Sequence, residues 1–193
     1  MVKNIVVFSD GTGQRGGIFV DENRSNIYKL YRATRCGPES LVNPAEQVAF
    51  YNPGIGTLAP KAGLIGSISR RVYNLVSQAL GLGLTGNIID CYAATIRLWR
   101  PGDRIFLFGF SRGAYTIRCL AATICKCGIP TRMKDGSPLR YDEPTFKAIA
   151  REAVLRVYQH TSSWNRSTAT SRQLELLDQR DALAAPVDNL ADS

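Results

Sequence analysis

The chain has 193 residues, with 24 Lys and Arg against 16 Asp and Glu, a formal charge of +8. Hydrophobic residues at 45% and charged ones at 21% are ordinary globular values, which exclude a disordered chain and a membrane-embedded one; the length suits one domain with a substantial core. The segment after His160 holds five acids and three bases, so the first 160 residues carry +10, a balance that favours anionic surfaces such as phospholipid headgroups or nucleic acid without choosing between them, the alternative being a solvated basic face.

The opening "NIVVFSD" is a strand apolar on both faces, as in a central parallel strand covered by helices. No secretory signal stands before it, which predicts a cytoplasmic chain at synthesis. A Gly-rich turn, "FSDGTGQRGG", follows. Ser25 and Asn26 are suitable N-caps for "IYKLYRATRC", whose stripe of Ile27, Leu30, Tyr31 and Thr34 stops at Gly37 and Pro38. "QVAFYN" is a second strand. An amphipathic run with Val72, Leu75, Val76, Ala79 and Leu80 leads to "GLGLTG", read as a mobile connection, and a further helix places Ile88, Tyr92, Ile96 and Trp99 on one face before Pro101.

"RIFLFGF" from Arg104 is the third strand, again apolar on both faces. The helix "AYTIRCLAATICKCG" turns Ile117, Leu120, Ala121 and Ile124 inward, with Gly128 as its C-cap. Another, "EPTFKAIAREAVLRVYQH", has Pro144 in its first turn and a buried stripe of Phe146, Ile149, Ala153, Val154 and Val157. Nothing after Pro130 reads as a strand. The alternation predicts an α/β fold, a mainly parallel sheet with flanking helices over residues 1–160, and a polar, loosely ordered tail over 161–193. The cysteines Cys36, Cys91, Cys119, Cys125 and Cys127 lack zinc-ribbon spacing and are read as reduced, mostly buried thiols; no metal site is expected.

Gly109-Phe110-Ser111-Arg112-Gly113 is a G-x-S-x-G between a strand and a helix, the context of a nucleophile elbow. Gly109 and Gly113 lack the Cβ atoms that would clash in so sharp a turn, and Ser111 is presented above the sheet edge. The Arg112 N–H is placed for half an oxyanion hole. The loop after the first strand, led by Asp10, Gly11 and Thr12, is the candidate for the other half. Both loops lie at the carboxyl edge of the sheet.

"VVFSDGTGQ", "SNIYKLYRA", "VAFYNPGIGT" and "WRPGDRIFLFGFSRGAYTIRCLA", in that order, resemble the α/β-hydrolase domain of type VI secretion lipase effectors over about residues 3 to 160. The resemblance implies an α/β-hydrolase-like fold, here an incomplete one. It implies an esterase or phospholipase with Ser111 as nucleophile, acting without a cofactor. Lipid or another ester is the implied substrate, with an anionic membrane surface, an immunity protein or a secretion component as partners. The family's Trp-Asp-Thr-like motif and its later His are not in this sequence. His160, the single imidazole, is the candidate base, and Asp135 or Asp142 would formally complete the chain order of a hydrolase triad; against this, all three lie in helix caps and loops of a region without strands, where His160 reads as a surface or helix C-terminal residue. Residues Tyr51 to Gly56 are candidates for acyl contact.

Two other readings compete. The alternative from outside the enzymes is a truncated, inactive remnant that binds lipid or a partner, since three strands make a thin sheet for this fold. "GLGLTG" is also a literal G-x-G-x-x-G, but it follows a helical run, and Asp103 precedes a strand instead of following one, which argues against a dinucleotide. Scattered basic residues without a recognisable module argue against nucleic acid.

Overall fold

The computed structural model describes residues 2–11, 24–54, 68–159, 167–175 and 177–178. Thr12, His160 and most of the tail lie outside these residues. Three parallel strands, β1 (Asn4–Ser9), β2 (Gln47–Asn52) and β3 (Arg104–Gly109), form a sheet in the order β2-β1-β3. The register is unbroken: Asn4 aligns with Gln47 on one side and Arg104 on the other, and Ser9 with Asn52 and Gly109.

β1 is the core strand, with Ile5, Val7 and Phe8 fully buried and Val6 nearly so. Side chains alternate between faces. On one face Ile5 and Val7, with Val48, Phe50, Ile105 and Leu107, pack against helices α2 (Ile68–Leu98), α3 (Arg112–Cys127) and α4 (Glu143–Glu152). On the other, α1 (Asn26–Thr34) covers β1 and β2, its Tyr31 ring set edge-on to Phe8 and stacked on Tyr51. Each fully buried Ile, Val or Phe contributes about 1.5–3 kcal/mol. β2 and β3 lie on opposite sides of β1, so right-handed crossovers place α1 and α2 on opposite faces.

The expected elements form, with three corrections. The run around Gly81–Gly86 is no mobile connection: α2 continues through it as one helix of 31 residues. Glycine costs about 1 kcal/mol in a helix interior. Leu84 between these glycines packs against the core, and tertiary burial outweighs the local cost. α1 keeps its Ser25 cap, whose hydroxyl accepts from the Tyr28 N–H at 3.0 Å, but Leu30 faces solvent. β3 is not a covered central strand; it is an edge, with Phe106 and Phe108 exposed.

Beyond α3, Gly128 caps the helix with φ 65°, and the buried Tyr92 hydroxyl donates to its carbonyl at 2.7 Å. α4 starts at Asp142, which caps the Thr145 N–H, and passes into a π-helical stretch, Ala153–Tyr158, that buries Ala153, Val154 and Val157. Cys125 is exposed while Cys127 is buried, the split expected of "CKC". Burial, helped by the neighbouring Asp90 charge, pushes the Cys91 thiol far up and keeps it protonated.

The start of β3 is tied to the N-terminus by Asp103, which accepts from the Lys3 N–H at 3.0 Å and the Arg100 N–H at 2.9 Å and forms an ion pair with the Lys3 ammonium. Burial alone would raise its pKa, but the Lys3 and Arg100 hydrogen bonds and the Lys3 charge hold it below the ordinary value of 3.8. A depressed carboxylate stabilises the fold above its unfolded pKa and loses that contribution as pH falls through the folded one. Asp103→Asn is expected to lower stability by about 2 kcal/mol at neutral pH. Urea denaturation should show this deficit shrinking as the pH falls below about 4; a pH-independent deficit would remove the ion pair from the account.

Candidate active site

The helices after β1 and β3 lie on opposite faces of the sheet, so a crevice opens between the carboxyl ends of these neighbouring strands, the usual ligand position in open α/β sheets. Ser111 and Gly11 meet in it. Ser111 has φ 52° and ψ −121° and is the one non-glycine residue with positive φ among the described residues. That conformation costs on the order of 1–3 kcal/mol and persists only where its surroundings enforce it.

The surroundings are backbone. A Cβ on Gly113 would stand 2.1 Å from the Ser9 carbonyl oxygen and 2.7 Å from that of Asp10. A Cβ on Gly109 would stand 2.6 Å from the Gly113 oxygen and the Ala114 Cα. The first turn of α3 thus rests directly on the end of β1, and the Phe110 N–H donates to the Ser9 carbonyl at 3.1 Å. Ser111 is the N-cap position of α3, but its hydroxyl caps nothing; it is exposed at the positive end of the helix. Arg112 is the first residue of α3, where N–H groups have no intrahelical acceptor.

Gly11 lies against the elbow: a Cβ there would be 3.3 Å from the Ser111 Cβ and 2.9 Å from the Phe110 ring. Asp10, buried, holds this loop. Its Oδ1 accepts from the Gly11 N–H at 2.8 Å, and its Oδ2 from the Tyr51 hydroxyl at 2.7 Å and from the Ser25 hydroxyl. Asp10 is thus an anchor. Sequence reasoning missed Ser25 and Tyr51 as its partners; the only signal was that Ser25 caps α1, and a cap hydroxyl can accept and donate at once. Beneath the elbow, Ser9 Oγ and Asn52 Oδ1, neighbours in register, are buried without hydrogen-bond partners among the described residues. Such groups cost about 1–3 kcal/mol each.

The acids proposed from chain order do not approach Ser111. α3 carries the chain on the order of 24 Å away from the elbow, and the far loop contains both. Asp135 closes a turn onto Ser137, whose hydroxyl and N–H hold its carboxyl below the ordinary range, and Asp142 caps α4. The next segment runs back antiparallel to α3. The Cys127 thiol meets the Ala153 carbonyl, and Tyr158 reaches Cys119 and Tyr115, about one turn from Ser111. The charge and hydrogen bond of Cys119 push the Tyr115 phenol up.

Ser111→Gly removes the left-handed strain and should raise stability by about 1 kcal/mol, whereas Gly113→Ala should lower it by about 3 kcal/mol or more. Chemical denaturation of the two variants beside the parent chain measures both; a destabilised Ser111→Gly would deny the strain.

A family model described as T6SS, phospholipase effector Tle1-like, catalytic domain, matches residues 3–185. An uncharacterized protein of Saccharomyces cerevisiae, YEL023C, is similar to the chain, 35% identical over 132 residues that make up 66% of this chain and 18% of that protein. The chain therefore spans less than a fifth of the length of this curated relative. No solved structure matches. Because the family match takes in all three strands, the loop after β1 and the whole elbow, the chain belongs to the Tle1-like catalytic-domain family of type VI secretion phospholipase effectors.

Proposed function

We propose that the chain is a serine hydrolase domain that cleaves carboxylic esters of phospholipids with Ser111 as nucleophile. The observation that carries the reading is the strained, exposed Ser111 at a strand-to-helix turn, in a family of phospholipase effectors. Ser111 Oγ attacks the ester carbonyl carbon while a base takes its proton. The oxyanion is held by the Arg112 N–H and by the loop beyond Gly11, whose own N–H is already given to Asp10, and the base returns the proton to the leaving alcohol. Water then attacks the acyl-serine, releasing the fatty acid and regenerating Ser111.

His160 is the proposed base. Supporting it, Tyr158 at the end of the π-helical stretch lies beside Tyr115 and Cys119 of α3, and His160 is two residues further along the sequence. The strain at Ser111 fits this role, since strained backbone clusters at active sites. Thr12 belongs to the same proposal as part of the oxyanion loop. Among the described residues no helix is long and apolar enough to cross a membrane. The +8 charge suits attack on an anionic bilayer from its surface. Export by a type VI machine and pairing with an immunity protein are further parts of the proposal, carried by the family.

A fluorophosphonate probe tests it. Labelling of the folded chain should be abolished by Ser111→Ala and reduced by ~100-fold or more in rate by His160→Ala. Labelling lost only in Ser111→Ala would assign the base elsewhere. A folded chain that takes no label, yet binds phosphatidylglycerol vesicles, would instead establish the non-catalytic lipid-binding reading.

A further inference from the structure

β3 carries an unusual row of side chains. Phe106 is 42% exposed, Phe108 39% and Phe110 55%. Alternation places Phe106 and Phe108 on one face of the strand, and Phe110, the first residue beyond it, follows in the elbow with its ring beside Gly11. α1 covers that face only over β1 and β2: Tyr31 meets Phe8, and Phe8 stacks on Phe108 at 5.3 Å. Phe106 and Phe110 have no aromatic partner among the described residues. From Phe106 to Phe110 the row spans on the order of 13 Å. Its upper end is bonded directly to Ser111, and its lower end meets exposed Arg104 on the same face.

We infer that this row is an acyl-binding track: a long fatty acyl group whose ester carbonyl lies at Ser111 runs down Phe110, Phe108 and Phe106. The inference rests on the ester-hydrolase reading. Its upper end coincides with the proposed reacting bond, which a protein-docking surface would have no reason to do. The track is one strand wide and has no hydrogen-bonding side chain between Phe106 and Phe110, so it offers contact to a narrow apolar chain and nothing to a polar one. Charge argues the same way. Two copies at +8 each repel, whereas an anionic lipid surface is attracted, with Arg104 placed at the distal end of the track. Exposed apolar rows of this kind mark interaction sites more often than idle surface.

The track makes substrate length the discriminating variable. Phe106 lies farthest from Ser111, so its contacts are available to a long acyl chain and not to an acetyl group. Phe106→Ser should lower kcat/KM for a sixteen-carbon p-nitrophenyl ester by about tenfold relative to an acetyl ester, while Phe106→Leu should keep most of the preference. Circular dichroism and a thermal melt confirm that each variant is folded. An unmoved long-to-short ratio in a folded, active Phe106→Ser chain overturns the track and leaves the hydrolase reading intact. Should the chain hydrolyse neither ester, the hydrolase reading fails by itself. The track is then decided by titrating cis-parinaric acid into the parent chain and the Phe106→Ser chain: binding weakened in the variant supports it, and equal or absent binding overturns it. Sedimentation supplies the remaining arm. A parent chain that dimerises, with Phe106→Ser restoring the monomer, would assign the row to a second copy and overturn the acyl track.

Discussion

The contact on which the site depends is that of Gly113 with the carbonyl oxygen of Ser9. With no Cβ at Gly113, α3 begins almost on top of the end of β1, and the chain has only the two residues Phe110 and Ser111 in which to turn from strand to helix. That shortage of chain forces Ser111 to positive φ and lifts its hydroxyl clear of the helix it precedes. The strain at Ser111 is therefore a property of packing between two regular elements. The central position of β1 then adds the second requirement, because the loop leaving β1 emerges beside the elbow and no other strand end is as near.

Asp10 shows how that loop is fixed. A buried carboxylate is costly unless its lone pairs are met by donors. Here α1 supplies Ser25, β2 supplies Tyr51 and the loop supplies its own Gly11 N–H. One side chain thereby ties the helix, the second strand and the loop after β1 together. The aromatic cluster of Tyr28, Tyr31, Tyr51 and Phe8 encloses the same point from the α1 side. Rigidity next to Ser111 thus comes from polar and aromatic contacts, and the aliphatic core lies on the opposite face of the sheet.

The three strands and the elbow were legible because each depends on local pattern: short apolar runs, Gly at fixed offsets, Pro and Gly as stops. Where the sequence misled, the deciding term was non-local. "GLGLTG" has poor helix propensity, and among the described residues the packing of Leu84 and the following turns on the core supports α2 through it. "RIFLFGF" has the composition of a covered strand, yet coverage depends on which helices cross its two faces, and α1 crosses the other side of β1. Asp10 reads from the sequence as the head of the loop beside the elbow, but what holds it there does not. Its partners lie 15 and 41 residues away, a distance over which a single sequence carries no pairing signal. Asp135 and Asp142 satisfied chain order only formally, and their place in a loop and a helix cap of a region without strands already spoke against them, in keeping with their position beyond the far end of α3.

The parallel register has a consequence for the order in which the molecule is made. Asn4 pairs with Gln47 on one side and with Arg104 on the other, so the central strand is synthesised first and completed last. At about 5–20 residues per second, a ribosome takes on the order of 5–20 s to span the hundred residues between β1 and β3. During that interval the stretch from Ile5 to Phe8, the most water-averse segment of the fold, has at best one neighbour, and parallel pairing offers no local hairpin to shelter it. The geometry that brings the elbow to β1 therefore makes the nascent chain a natural client for chaperones that bind apolar strands.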